Sequence, residues 1–556
     1  MSKKSIEKDI ERQMLALYGE NKSLTENPDP EHSVTCSNGT FVPKVEGTIS
    51  AFRGIPFALP PIHERRWRAP EPVPDGNEIR EAFYNAKSPI QTRIPSERSS
   101  FYPQSEDCLY LNVWTNSACK DQNKPIMVFI HGGSYGWGGT VDPLYDGRNF
   151  IADHPDVVLI TIAYRVGIFG FIDLSYLEGS DGYEDSTNLG LLDQIEALRW
   201  IQRNGAAFGG DTANVTIFGE SAGGGSVSLL PLIKQADGLF RRVIAESGSV
   251  AFTFSREECK IFTTRLMEYA KTTSLDELLS MSTEEIAKIN VKLNDFNNFP
   301  MRDGRIVPFD PYAEYERGVT RKIDMLAGSN ENEMNYWIGE VGGIFPYCIG
   351  SFYKFNHDSK SLAPVDQKRV KSFLKTVRRT YIWKLTEFYN DLMFRLPAIK
   401  QAEEHANNGG KSYLYFWREP SHIFLRRACH AVELAYVFRN IDDTVYTGKR
   451  ADDELSKEVA QMWVNFAKTG DPSTQNHQWP AYNAITKLTM TFKANQVYVA
   501  GDIAAQRREL LYPLLPLMIT PSYANLDGEA PFMAEVSYIL AAAFSSLIVS
   551  IGGLFH

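Results

Sequence analysis

The residues best placed to do chemistry in this chain of 556 amino acids are a serine between glycines and a glycine pair behind a histidine. The first is Gly219-Glu220-Ser221-Ala222-Gly223, directly after the apolar run Val215-Thr-Ile-Phe218. A serine hydroxyl is a poor nucleophile unless it is exposed to substrate and held against a base. A sharp strand-to-helix turn provides the exposure, and glycines two before and two after leave room for the chain that crosses it. The start of the following helix also aims N–H groups at developing negative charge. The second cluster is Ile130-His131-Gly132-Gly133-Ser134, again behind an apolar run. Main-chain donors without intervening side chains are what a tetrahedral oxyanion needs. The N–H groups of Gly133, Ser134 and Ala222 are therefore the expected oxyanion hole.

Such a site demands a framework of strands that end where the loops begin. Ile126 to Ile130 and Val157 to Ala163 are short runs rich in branched residues, as suits strands buried on both faces of a mainly parallel sheet. Between Asn188 and Asn204, Leu191, Ile195, Leu198 and Ile201 recur at spacings of three and four, which predicts an amphipathic helix. Strand, helix, strand, tight turn and helix form the grammar of a doubly wound α/β fold.

The order of further motifs is similar to one known family. They are Phe52-Arg-Gly-Ile-Pro-Phe57, Ser105-Glu-Asp-Cys-Leu-Tyr-Leu-Asn112, Tyr164-Arg-Val-Gly-Ile-Phe-Gly-Phe171 and Asn188-Leu-Gly-Leu-Leu-Asp-Gln194. Phe208-Gly-Gly-Asp211, Glu246-Ser-Gly248, Asp303-Gly304 and Phe466-Ala-Lys-Thr-Gly470 complete the series. Across about Val34 to Tyr482 the chain resembles the type-B carboxylesterase and cholinesterase-like family. The resemblance implies an α/β-hydrolase fold, a central, mostly parallel sheet flanked by helices. It also implies the rest of a triad. Glu333, in Gly328-Ser-Asn-Glu-Asn-Glu-Met334, is the acid, with Glu331 its less favoured neighbour, and Met334 stands where the family has glycine. His430, in Cys429-His-Ala-Val-Glu-Leu434, is the base. The order serine, glutamate, histidine is the chain order of this fold.

Several departures bear on function. Ser134 stands where a third glycine is common. Isoleucine at position 90 replaces the usual partner of Cys108, and Cys259 also lacks a neighbour, so both are expected as free thiols, in keeping with a reducing compartment. Arg98 occupies the position of a cholinesterase tryptophan that holds quaternary ammonium by cation–π attraction, which argues against choline esters. Phe296 to Phe299 is the expected acyl-pocket segment.

The implied activity is serine carboxylic ester hydrolysis through an acyl-enzyme on Ser221, acting on a small-molecule ester without cofactor or metal. One alternative is an acyltransferase that uses the same triad to acylate an alcohol or amine. Another is a silent, cholinesterase-like adhesion or scaffold protein. A formal charge of −10 disfavours nucleic acid as a partner, and oligomeric state is not legible. The expected organisation is a polar arm over 1–33, a hydrolase domain over 34–520 and a tail over 521–556. The N-terminus carries acidic residues where a secretory leader would be apolar, which points to the cytoplasm. Residues 538–555 carry no charge, and as a helix they would span about 27 Å, so tail anchoring in a membrane is a further expectation.

Overall fold

A run of branched and aromatic residues with no exposed face has one stable home, the interior of a parallel sheet covered on both sides. The computed structural model describes residues 10–92, 98–117, 123–293, 299–340 and 344–517. The strands that build the site are β1 (Tyr110–Asn116), β2 (Lys124–Ile130), β3 (Val158–Ile162), β4 (Gly210–Glu220), β5 (Arg242–Glu246), β6 (Asp324–Asn330), β7 (Ser412–Trp417) and β8 (Thr489–Phe492). They lie side by side in the order β1-β3-β2-β4-β5-β6-β7-β8. From β3 to β8 every neighbour is parallel, while β1 pairs antiparallel with β3.

The registers put the functional loops at one end of the sheet. Ile130 of β2 is opposite Gly219 of β4, and Glu220 of β4 is opposite Glu246 of β5. The chain then leaves β2, β4, β6 and β7 at the same carboxyl edge, where open α/β sheets bind ligands. The helix expected over Asn188 to Asn204 is α1 (Leu189–Asn204), whose Leu191, Ile195, Leu198 and Ile201 are fully buried. The strand expected over Val215 to Phe218 is longer, because an irregularity between Asp211 and Val215 lets it begin at Gly210.

The N-terminal arm departs from the expectation of a separate polar segment. Residues 10–15 are helical, and Met14 is buried against Tyr102 and Val141. Ser23–Leu24 then adds a short antiparallel pairing to the strand Gly76–Ala82. A handful of apolar side chains at helical spacing is enough to hold the arm on the body. Residues 538–555 lie outside the described residues, as do Phe296, Asn297 and Asn298 of the expected acyl-pocket segment. Among the described residues, no helix is long and apolar enough to cross a membrane.

Two glycines let β2 and the turn after β4 touch. A Cβ on Gly223 would sit 1.9 Å from the Ile130 carbonyl oxygen, and one on Gly219 would sit 2.6 Å from it. Gly223→Ala is therefore expected to cost about 1–3 kcal/mol of stability, as overpacking does. Gly501→Ala, where a Cβ meets nothing within 4 Å, should stay within about 0.5 kcal/mol of wild type. Urea unfolding of the two variants checks the contrast.

Candidate active site

Where β4 ends, the chain reverses into the helix α2 (Ala222–Leu229), and Ser221 at the corner has φ 60° and ψ −119°. A residue with a side chain pays a steric penalty there, so the conformation persists only because neighbours impose it. The Ser221 N–H donates to the Glu246 carbonyl of β5 at 2.8 Å, and its own carbonyl accepts from Gly225 N–H at 2.8 Å. Across the corner lies Gly132, whose missing side chain would meet the Glu220 carbonyl at 2.8 Å and Ser221 Cβ at 3.1 Å.

The loop after β2 turns through three residues of positive φ, Gly133 at 108°, Ser134 at 51° and Tyr135 at 56°. A Cβ on Gly133 would fall 2.1 Å from the Trp137 carbonyl oxygen, so only glycine fits. Gly136 and Trp137 N–H both donate to the Gly133 carbonyl and close the loop. The N–H groups of Gly133, Ser134 and Ala222 have no acceptor among the described residues, and all three positions adjoin Ser221. His131 braces this loop from beneath. It is buried, stacks on Tyr164 at 4.4 Å, and its Nδ1–H donates to the Gly132 carbonyl at 2.8 Å. Burial lowers its pKa to about 4, which keeps it neutral.

Glu333 stands three residues beyond β6, and His430 lies on the loop that follows β7. The two meet with His430 Nδ1 2.7 Å from Glu333 Oε2. Glu331 points elsewhere, to Arg418 at 3.2 Å, and is partly exposed. The other ring nitrogen, Nε2, lies 3.1 Å from Glu220 Oε1. Among the described residues, no hydrogen bond joins Ser221 Oγ to the imidazole. The ring thus sits between two carboxylates, one on each nitrogen, at the mouth of the elbow. Ser221, His430, Glu220, Gly133 and Ser134 all line one cavity.

Behind the ring is a group of buried acids that sequence reasoning did not single out. Ser247 Oγ donates to Glu333 Oε1 at 2.7 Å, and Asn330 N–H reaches the same oxygen at 2.5 Å. Asn330 Nδ2 donates to Glu433 Oε2 at 2.5 Å. Burial, reinforced by Glu220, Glu333 and Glu246, raises the Glu433 pKa well above the carboxylate range. Burial likewise raises Glu246 to about 7, although Trp463 Nε1–H donates to it at 2.7 Å. Burial thus disfavours the charged form of both carboxyls. The signal for Ser247 and Glu433 was present, since both sit inside recognised motifs, but spacing alone does not reveal which acid has its pKa raised by burial.

Aromatic rings enclose the imidazole. Phe394, Trp337 and Tyr336 lie 4.9, 5.2 and 6.0 Å from it. Phe394 is supplied by a π-helical stretch, Asn390–Arg395, a local widening often found at functional sites. Nothing in the sequence announces that widening. Arg98, the residue before the cavity-lining Ser99, is tied down, donating to Asp142 at 2.7 Å and to Asp443 at 2.6 Å. Cys108 and Cys259 are buried free thiols. Among the described residues, no group of three or more histidine, cysteine or acidic side chains could hold a metal ion.

A parallel sheet with a strained serine at the end of a central strand, an acid after one later strand and a histidine after the next defines an α/β hydrolase. The carboxylesterase family profile matches residues 33–510. The chain is 32% identical to para-nitrobenzyl esterase of Bacillus subtilis, over 86% of this chain and 98% of that protein. It is 30% identical to mouse cholinesterase, over 83% of this chain and 82% of that protein. The solved structure of a Geobacillus stearothermophilus carboxylesterase superposes with a TM-score of 0.77 at 30% identity, over 86% of this chain and 99% of that one. The chain therefore belongs to the carboxylesterase family and is an enzyme of the carboxylesterase type, a serine hydrolase.

The raised pKa of Glu246 makes a prediction. Its pKa is about 7 in the folded protein against an ordinary 4.5, so its contribution to stability is full below 4.5 and is lost as pH rises toward 7. Glu246→Gln, which cannot ionise, should lose less thermal stability than wild type between those pH values. Midpoints of thermal unfolding across that range decide it, and parallel curves would refute the assignment.

Proposed function

We propose that the protein hydrolyses carboxylic esters through an acyl-enzyme on Ser221, with His430 as general base and Glu333 as the acid that orients it. The observation that carries this reading is the 2.7 Å bond from Glu333 Oε2 to His430 Nδ1, at a cavity wall shared with Ser221 at its strained corner. A carboxylate on Nδ1 fixes the tautomer with its lone pair on Nε2, the nitrogen that must accept the serine proton.

When an ester enters, Nε2 turns from Glu220 to Ser221 Oγ and takes its proton as the oxygen attacks the carbonyl carbon. Catalytic hydrogen bonds commonly tighten in this way once substrate binds. The carbonyl oxygen gathers charge toward Gly133, Ser134 and Ala222 N–H, and each such donor lowers the barrier by about 3–4 kcal/mol. His430 then gives its proton to the departing alcohol. Water, deprotonated by the same imidazole, releases the acid and restores Ser221. While the imidazole holds the proton, its ring lies between the side chains of Glu333 and Glu220. Arg98 offers no aromatic face to a quaternary ammonium, and its charge is already offset by Asp142 and Asp443, so neutral esters are the preferred class.

The test is steady-state hydrolysis of a para-nitrophenyl ester. Ser221→Ala and His430→Ala should each lower kcat by about 10⁶-fold. Glu333→Gln should lower it by about 10⁴-fold, through the wrong tautomer. Wild-type turnover in the Ser221→Ala protein would remove that serine from the mechanism. An added alcohol acceptor, with ester rather than acid as the main product, would instead favour acyl transfer.

A further inference from the structure

The rim of the catalytic cavity continues into a basic and aromatic surface. Tyr336 and Tyr446, which line the cavity, meet the loop 421–428 at its mouth. Ser421 Oγ donates to the Tyr446 carbonyl at 2.6 Å, Asn335 Nδ2 donates to the Leu425 carbonyl at 2.6 Å, and the Arg426 guanidinium lies over the Tyr336 ring at 5.2 Å. The next residue, Arg427, lies over the ring of Trp383 at 5.7 Å, on the helix Tyr381–Tyr389. Just before that helix come Arg378 and Arg379, and before them the helix Pro364–Thr376.

That last helix carries Lys368, Lys371 and Lys375 at spacings of three and four, which places them along one face. All three lysines, with Arg378 and Arg379, are exposed, and none has an acidic partner among the described residues. Other charges in this stretch are satisfied locally. Arg369 pairs with Asp366, Lys384 donates to the Leu374 carbonyl, Asp358 accepts from Tyr389, and Glu387 pairs with Arg507. Five unpaired cations on a chain of formal charge −10 are a local reversal of sign. Large apolar side chains stand among them. Phe424 is 86% exposed, and the half-exposed rings of Tyr381 and Phe352 lie 6.4 Å apart.

We propose that this collar docks the protein on an anionic phospholipid surface, with the cavity mouth turned toward the headgroups. Cations interleaved with exposed aromatic rings suit the lipid interface, where the charges meet phosphate and carboxylate while the rings enter the acyl boundary. Each lysine or arginine near an anionic leaflet contributes about a fivefold gain in affinity. Nucleic acid offers the same phosphate chemistry. The lipid is favoured because the exposed rings of Phe424, Tyr381 and Phe352 are apolar surface that a lipid interface covers and a phosphate backbone does not. Docking does not rest on the catalytic reading, and measuring it in a Ser221→Ala background keeps the two separable.

The test is co-sedimentation of the full chain, carrying Ser221→Ala, with phosphatidylcholine vesicles and with vesicles that also contain phosphatidylserine. The account expects stronger partition to the anionic vesicles, weakened by salt. The combined change K368E/K371E/K375E/R378E/R379E should reduce that partition about a hundredfold or more. Phe424→Ser should reduce it severalfold, and the milder R378Q/R379Q pair should reduce it to an intermediate level. Unfolding midpoints matching the parent show that the variants fold. Equal partition to both vesicle types, or no loss in the five-charge and two-charge variants, overturns the proposal. Tighter binding to duplex DNA than to anionic vesicles overturns it in favour of nucleic acid.

Discussion

The contact on which the site depends is one between main chains. The Ile130 carbonyl of β2 rests where the side chains of Gly219 and Gly223 would be, and Gly132 rests against Ser221 itself. That closeness brings the donors of the Gly133 loop beside the serine, and it is incompatible with any Cβ at positions 219 or 223. The strain at Ser221 is part of the same contact, because the pairing of β4 with β2 and β5 holds the strand side of the corner and the Gly225 N–H bond to the Ser221 carbonyl holds the helix side. A sheet built from strands buried on both faces is stiff enough to maintain such a conformation, and a surface loop is not.

Charge is arranged around that contact by burial. Four glutamates, Glu220, Glu246, Glu333 and Glu433, lie buried near one imidazole. Four full negative charges in so small a volume would repel one another strongly in a medium of low polarity. The raised pKa values of Glu246 and Glu433 relieve this, and Ser247 and Asn330 donate hydrogen bonds to Glu333. The imidazole lies between Glu333 and Glu220, one carboxylate facing each ring nitrogen. Phe394, Trp337 and Tyr336 exclude water from the ring and so strengthen both interactions.

Much of this was legible in the sequence, for identifiable reasons. Glycine at 219 and 223, and the glycine pair at 132 and 133, mark places where backbones touch, and that constraint leaves a trace at fixed spacing. The strands announced themselves because both faces are buried, and α1 because one face is. The pairing of Glu333 with His430 was accessible only through motif resemblance, since the two are separated by nearly a hundred residues and nothing local distinguishes Glu333 from Glu331. The carboxylate at Nε2, the raised pKa values of Glu246 and Glu433 and the π-helical placement of Phe394 arise from tertiary packing and leave no periodic trace. The N-terminal arm is held by Met14 with Ile10 packed beside it, and so short an apolar pattern among polar residues is a weak signal in sequence.

The most direct test is a crystal structure of the protein after reaction with a fluorophosphonate. The account predicts phosphorus bonded to Ser221 Oγ, its free oxygen within hydrogen-bonding distance of Gly133, Ser134 and Ala222 N–H, and His430 Nε2 turned away from Glu220 toward the adduct. Phosphorus on another residue, or an imidazole still held by Glu220 with the phosphonyl oxygen directed away from those three donors, would contradict it.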